Sequence, residues 1–586
     1  MVRKPIWKLS PPISYRDYGG LREYPLLLAQ LLYNRNITDS TTARGFITPE
    51  HTPFEDPFLL PDMPKAVARI MKAIADKERL AIYGDFDADG ITATAILVLT
   101  ISALGGVVGP YIPHRYSEGY GVNIEAMRVL RNSGVDLVIT VDCGTSSVKE
   151  ISYARDIGLD VIITDHHTLP LELPPASAII NLQRNDHSYP FTDLCGAGVA
   201  FKMAQALMES AGKASPIQED DIIDLAAIGT VADMVPLLGE NRSIVKRGLD
   251  VINKRPRIGL RTLLEQANLS PGSLDAGSIG YAIAPRLNAM GRLDHAINSY
   301  KLLTTDSLSE AVFLSQMLED TNQERQRITR EVLEKAGDYV KANHDESSPV
   351  VIASGTDFNA GVVGLVAGKL AEQWYRPSIV ISQGEELSSG SCRSIPEVNI
   401  VQTLQQCEDL FEKYGGHAQA AGFTISTSRL SELTARLSDI VAAQLEGIQL
   451  APVLKIDAPL PLTAIPGDAF QQVQTFNPFG QANPQPMFLA SRLVLADFRT
   501  FGKNSNHVNL RLKDNGATWS AVAFNMEDRL EELKTIKSSY TPVDIAYHLE
   551  IDSWTSNSGP SQDNNGKEQV LRLNVKDFRP FAFRRA

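Results

Sequence analysis

Apolar and polar positions change rhythm several times along the chain. Up to about residue 75 the apolar residues recur at helical spacing, as in Tyr24-Pro-Leu-Leu-Leu-Ala-Gln-Leu-Leu32. Thr38, Asp39 and Ser40 offer caps for a further helix that begins at Thr41. A Pro-rich stretch from Pro53 to Pro64 reads as an extended connection. From about 66 to 240, short β-branched runs alternate with helical segments. The runs are Arg79–Tyr83, Asp136–Val141, Asp160–Ile163 and Ala178–Asn181, and the helices include Asn123–Asn132 and Val148–Ile157. Residues 241–345 read as helices. The stretch from Leu303 to about Ala342 is rich in Glu, Lys, Arg and Leu, with few breakers. Strands return at Val350–Gly355 and Pro377–Ser382, with a small-residue helix starting near Gly361 between them. From about 450 the chain turns to short strands: Val453–Ile456, Met487–Phe498, His507–Leu512, Thr518–Phe524, Val543–Ile551 and Gln569–Phe578. Thr555–Lys567 is a polar loop without core residues and is expected to be disordered.

Strand–helix alternation predicts a parallel sheet covered by helices, with its chemistry at the carboxyl ends of the strands. The fold class expected is α/β: a parallel-sheet domain, a long helical connector, a smaller α/β domain and an all-β barrel. The divisions expected are 1–65 for an N-terminal helical segment, 66–300 for the first domain, 301–345 for the connector, 346–448 for the second domain and 449–586 for the barrel. A small barrel of this size suits an OB-fold, which binds nucleic acid.

Composition sets bounds on this picture. The chain has 586 residues, 43% hydrophobic and 21% charged, as soluble multidomain proteins do. No run approaches 18 apolar residues, so no membrane span or membrane partner is expected. The N-terminus carries no apolar run of the signal-peptide kind. Cys143, Cys195, Cys392 and Cys407 form no metal-binding pair and no disulfide framework, which fits a reducing cytoplasm. The net charge of −13 argues at first against nucleic acid. The charge is uneven, however. Residues 451–586 carry 15 Lys+Arg against 14 Asp+Glu, while the other 450 carry 41 against 55. Carboxylates committed to metal ions no longer repel phosphate, so nucleic acid stays open as a partner.

The candidate chemistry lies at the strand ends. The run Asp85-Phe-Asp87-Ala-Asp89-Gly90 follows the first strand. If it stays extended, alternation puts the three aspartates on one face. Like charges so close call for a cation; the alternative is a solvated acidic turn. An EF-hand calcium loop would need Glu at position 96, which is Ile. Asp142 follows the second strand, Asp165-His166-His167 the third, and Asp233 a helix over 221–228. Carboxylates with imidazole suit Mn²⁺ or Mg²⁺. A buried structural histidine pair is the alternative for His166 and His167.

These four motifs resemble those of the DHH phosphoesterase superfamily. In spacing and flanks they resemble its RecJ family of bacterial single-stranded-DNA exonucleases. The resemblance covers nearly the whole chain, including Pro285-Arg286-Leu-Asn288-Ala-Met-Gly-Arg292, Ser391-Cys-Arg393, Tyr414-Gly415-Gly416-His417 and Asn477-Pro-Phe-Gly480. It implies a DHH domain over 66–300, a DHHA1 domain over 346–448 and a C-terminal OB-fold. It departs at Asp357-Phe-Asn359-Ala-Gly361, where relatives carry Trp-His-x-Gly, so Asn359 is assigned no role.

The resemblance implies metal-dependent 5′→3′ hydrolysis of single-stranded DNA to 5′-mononucleotides, in repair and recombination. Two divalent ions, Mn²⁺ or Mg²⁺, would serve it. Asp142 would bridge them, Asp87 would hold the first, and Asp89, His166 and Asp233 the second, with Asp85 as a partial ligand. His167 would touch the phosphate or leaving group, and Asp165 would orient the histidines. Arg115, Ser391 and Arg393 would hold a 5′ phosphate, joined by the Gly415-Gly416-His417 turn at the start of a small-residue helix over 418–421. Arg286, Asn288 and Arg292 would line the strand's path or serve helix packing. In the barrel, Arg499, Phe501, Lys503, His507, Arg511 and Trp519 interleave charge with rings as strand-binding surfaces do. A helicase and a single-strand-binding protein are the implied partners of a monomer. Two other readings stand beside this one: a phosphodiesterase for short RNA or cyclic dinucleotides, and a non-catalytic nucleic-acid-binding scaffold.

Overall fold

The computed structural model describes residues 4–115, 117–119, 121–212, 215–345, 347–502, 505–551 and 571–581. They form two compact units, one of residues 53–451 and one of residues 4–52 with those from 452 onward.

The first unit begins with a parallel sheet: β1 (Arg79–Gly84), β2 (Val107–Tyr111), β3 (Leu137–Val141), β4 (Asp160–Asp165) and β5 (Ala178–Asn181), in the order β2-β1-β3-β4-β5. β3 is buried along its whole length, as a strand covered on both faces must be, and so its apolar run does not alternate. β2 was hidden in the sequence because Gly109 and Pro110 interrupt it. Proline is tolerated there since β2 is an edge strand. The strand order reverses between β1 and β3, which opens a crevice at their carboxyl ends. The helices that matter for the site are α1 (Ala88–Ala103), α2 (Gly196–Ala211), α3 (Ile223–Ala232) and α4 (Ala284–Leu293).

The connector is one helix of 36 residues, α5 (Leu308–Asn343), about 54 Å long at 1.5 Å per residue. Ser307 caps it, and a stripe through Leu314, Leu318, Val332, Ala336 and Val340 is buried. It leads into a mixed sheet of β6 (Val351–Gly355), β7 (Ser378–Ser382), β8 (Leu387–Arg393), β9 (Phe411–His417) and β10 (Ala420–Ser426), in the order β9-β10-β8-β7-β6. Helix α6 (Val363–Trp374) joins β6 to the parallel β7. The helix expected over 418–421 is absent. Those residues lead into β10, whose Ala421, Phe423 and Ile425 are buried alternately, the two-residue rhythm of a strand.

In the second unit β11 (Phe488–Phe501), β12 (His507–Asp514), β13 (Ala517–Ala523), β14 (Val543–Ile551) and β15 (Leu571–Pro580) close a barrel, because β11 pairs with both β12 and β14. The N-terminal segment is not wholly helical, as the pattern suggested. Ile6–Leu9 is a strand paired in parallel with Val453–Ile456. The Trp7 indole donates to Asp577 at 2.6 Å, and Phe46 packs on Phe476 with centroids 5.4 Å apart. Residues 4–52 therefore belong with the barrel. The loop expected over 555–567, and Lys503, lie outside the described residues. No helix among the described residues is long and apolar enough to cross a membrane.

Candidate metal and phosphate site

The aspartate run does not stay extended. The Asp87 side chain caps α1 by accepting from the N–H groups of Asp89 and Gly90, and Asp89 sits in the first helical turn. The three carboxylates still converge, because the turn folds them around the end of β1. Asp142 follows β3 with φ near +60°, a strained conformation for a residue with a side chain. Its N–H donates to Thr164 O at 3.0 Å, which keeps it in the crevice. Asp89 is gripped by the start of α2: Gly196 N–H donates to Oδ2 at 2.6 Å and Ala197 N–H to Oδ1 at 2.9 Å. Glycine is required at 196, where a Cβ would stand 2.5 Å from the Asp142 Cβ.

Three groups of potential ligands result, each with donor atoms within 4.8 Å of one another. They are Asp85–Asp87–Asp142, Asp89–His166–Asp233 and Asp142–His166–His167. His166 Nε2 lies 3.0 Å from Asp142, 3.9 Å from Asp89 and 3.8 Å from Asp233. Burial and the neighbouring aspartates push the carboxyls of Asp85 and Asp142 well above the usual range. Burial, Asp89 and Asp87 bring Asp233 up to about 8. Burial pulls His166 down, toward the neutral imidazole that metals require. One oxygen of Asp85 is buried with no hydrogen-bond partner. Crowded carboxylates, a neutral imidazole and an orphaned oxygen are a donor set that suits a divalent cation.

Asp165 behaves differently. Its Oδ1 accepts from the His166 N–H at 2.8 Å and lies 2.7 Å from His167 Nδ1, while Oδ2 accepts from Thr145 N–H at 2.9 Å. Burial works against ionisation, but the bond and charge of His167 hold Asp165 below the ordinary carboxylate range. His167, lowered by burial, is brought back to about 9 by Asp165 and is an imidazolium at neutral pH. Asn181 Nδ2 donates to His167 O at 2.9 Å and to Thr145 Oγ1 at 3.1 Å. Neither Thr145 nor Asn181 was singled out in the sequence; only a polar residue at the end of each strand run could have drawn attention to them.

The other candidates divide. Asn288 Oδ1 accepts from Ala88 N–H at 2.7 Å and so braces the aspartate loop. Arg286 is committed to Glu319 on α5 at 2.6 Å. Arg292 donates to Gly361 O at 3.1 Å, which ties α4 to the approach of α6. Burial and the charges of Arg115 and Arg325, with a smaller effect of Arg393, bring it down to about 10 against the pull of Asp87. Arg115 lies over the Phe86 ring at 4.9 Å. Ser391 and Arg393 face the first turn of α6: a Cβ at Gly364 would stand 2.9 Å from Ser391 Oγ and 3.4 Å from Arg393 Nη2. Gly415, Gly416 and His417 lie on β9 rather than at a helix start. The His417 ring nonetheless reaches the DHH-type histidines, stacked on His167. Asn359 Oδ1 accepts from Gly361 N–H at 2.8 Å and holds the turn before α6.

In the barrel, a cleft of about 940 Å³ is lined by Arg499, Phe501, His507, Arg511, Phe524 and Arg572, among others. Phe501, His507 and Phe524 meet there with ring centroids 5.2–6.1 Å apart. Trp519 lies outside this cleft on β13, opposite Leu512.

Comparison with known proteins gives the same three parts. Residues 79–230 match the DHH family, N-terminal domain; residues 347–443 the DHHA1 domain; and residues 456–561 the RecJ OB domain. The chain is 36% identical over 536 residues to the single-stranded-DNA-specific exonuclease RecJ of Bacillus subtilis (strain 168), covering 91% of this chain and 67% of that protein. It is 31% identical to RecJ of Escherichia coli (strain K12), covering 91% and 94%. The crystal structure of RecJ in complex with Mn²⁺ from Thermus thermophilus superposes with a TM-score of 0.82 at 28% identity, covering 98% of this chain and 80% of that one. The corresponding Mg²⁺ complex superposes with a TM-score of 0.76. The chain belongs to the RecJ family of single-stranded-DNA-specific exonucleases.

Proposed function

We propose that the protein removes nucleotides one at a time from the 5′ end of single-stranded DNA, with two divalent ions. The observation that supports this reading is a carboxylate–imidazole cluster that has Arg115 and Arg292 near its aspartates and His417 of the second sheet against His167. Asp85, Asp87 and Asp142 would hold one ion, and Asp89, His166 and Asp233 the other, with Asp142 between them. Bound divalent cations supply acidification of a water and neutralisation of charge on the phosphate.

The chain's own residues do the rest. Asp165 would keep His167 charged, and an imidazolium there suits a non-bridging phosphate oxygen or the departing 3′ oxygen. Arg115, Ser391 and Arg393 bind the terminal 5′ phosphate, and His417 closes the space beside His167. Fixing the end places the next phosphodiester at the ions. The bond from that phosphorus to the first nucleotide's 3′ oxygen breaks as water oxygen bonds to phosphorus. The nucleotide leaves as a 5′-monophosphate with a 3′ hydroxyl, and the remaining strand again ends in a 5′ phosphate. The barrel cleft of Arg499, Phe501, His507 and Arg511 would bind the strand by stacking and phosphate contacts. That barrel favours a strand over a dinucleotide as substrate.

Digestion of single strands labelled at the 5′ or the 3′ end, with Mn²⁺, tests the reading. Mononucleotide should appear at once from the 5′ label only. Early release from the 3′ label, or internal fragments, would overturn it.

A further inference from the structure

Besides Arg115, Arg292 and Arg393, a fourth guanidinium belongs to this surface, and it comes from the connector. Arg325 lies midway along α5, on the helix that packs against α4 through the Arg286–Glu319 pair. Its Nη2 donates to Asn322 Oδ1 at 2.6 Å, and its Nε is buried without a hydrogen-bond partner. Among the described residues no carboxylate forms a salt bridge with Arg325 or Arg393, whereas Arg115 is drawn to Asp85 and Arg292 to Asp87. Arg286, on α4 beside them, is already neutralised by Glu319. Arg325 and Arg393 lower Arg292, and Arg286 lowers Arg325. A desolvated donor left unpaired is costly, and like charges gathered in a half-buried place are costlier. An anion removes both penalties. Three parts of the unit reach this place: the loop after β2 with α4, the connector α5, and β8 beside α6.

We propose that Arg325 is a phosphate-binding residue, completing from the connector helix the site that holds the strand's terminal phosphate monoester. The inference rests on the end-anchor reading above and adds a residue and a domain to it. A phosphate monoester presents three acceptor oxygens and close to two negative charges at neutral pH, more than an internal phosphodiester offers. Extra guanidinium groups therefore discriminate a phosphorylated end from a hydroxyl end.

The test uses the full chain with Mn²⁺ and 3′-labelled single strands carrying a 5′ phosphate or a 5′ hydroxyl. KM and kcat are measured for wild type, Arg325→Gln, Arg325→Lys and Arg393→Ala. Arg325→Gln should raise KM for the phosphorylated strand about 10- to 100-fold with kcat little changed, and leave the hydroxyl strand nearly unaffected. Arg325→Lys, which keeps the charge, should recover part of the loss. Inorganic phosphate should stabilise wild type against heat, and stabilise Arg325→Gln less. An equal rise in KM for both strands, a change in kcat alone, or an undiminished phosphate effect in Arg325→Gln would overturn the assignment. If Arg393→Ala discriminates between the two ends and Arg325→Gln does not, only the Arg325 assignment falls. If neither variant discriminates, the end-anchor reading falls as well.

Discussion

The imidazole rings of His167 and His417 lie 21° from parallel with centroids 6.1 Å apart, although one follows the parallel sheet and the other ends a strand of the second sheet. The two rings differ in charge. Burial and the His167 charge lower His417, whereas Asp165 holds His167 at about 9. A neutral ring beside an imidazolium restricts the cation without competing for the anion it faces. His167→Ala should therefore lower kcat by about 10²-fold or more while Mn²⁺ still stabilises the protein. His417→Ala should cost less. Single-turnover rates with a 5′-phosphorylated strand measure both. A loss with His417→Ala equal to that with His167→Ala would assign His417 a direct role.

Asp142 has other aspartates and His166 around it and sits in a strained backbone conformation. Asp142→Ala should abolish Mn²⁺-dependent release of mononucleotide while leaving most of the strand affinity. Filter binding and product analysis on the same preparation would show it. Retained cleavage would remove Asp142 from the ion-bridging position.

The crowded carboxylates make a pH prediction. Asp233 titrates near 8 in the folded chain, against roughly 4 when unfolded. A carboxyl raised by folding gives stability that is fully present below about 4 and is lost as the pH rises toward 8. Asp85 and Asp142 shift the same way. The metal-free protein should thus give up stability between pH 6 and 8, and Mn²⁺, competing with those protons, should restore more at pH 8 than at pH 6. Thermal unfolding in EDTA and in Mn²⁺ across this range checks it. A Mn²⁺ effect independent of pH would contradict it.

Gly196→Ala tests the packing that aims two ligands at once. The added methyl would meet Asp142 Cβ at 2.5 Å and its Oδ1 at 2.8 Å, while the Gly196 N–H holds Asp89. Such overpacking costs about 1–3 kcal/mol, and a displacement near 1 Å at a reacting centre can cost about 10²-fold in rate. A lowered Tm together with a fall in kcat is expected. Unchanged activity would mean that α2 yields without moving either aspartate.

The parallel sheet and the candidate ligand motifs were readable because each is local. Asp85, Asp87, Asp89, Asp142 and the histidine pair each follow a strand whose apolar run announces it, and Asp233 closes a helix that is nearly as plain. What escaped was set by partners distant in sequence. Gly415-Gly416 looked like a turn before a helix, yet pairing with Ala421–Gly422 makes it strand. Thr145 and Asn181 are ordinary polar residues until Asp165 and His167 arrive from another strand. Arg325 stands among the many charges of a long helix, and only the packing of α5 against α4 sets it apart.

The pairing of Ile6–Leu9 with Val453–Ile456 has a consequence for synthesis. Ile6–Leu9 waits for a partner made more than 400 residues later, roughly 20–90 s at about 5–20 residues per second. The candidate metal ligands, from Asp85 to Asp233, emerge in that interval, within a unit that begins at residue 53 and needs nothing from either end of the chain to form its sheets. Residues 4–52 are thus made before the 53–451 unit and complete their fold after it. A fragment spanning 53–451 is the natural one to express alone, whereas one that merely stops near 451 leaves residues 4–52 without the strand they pair with.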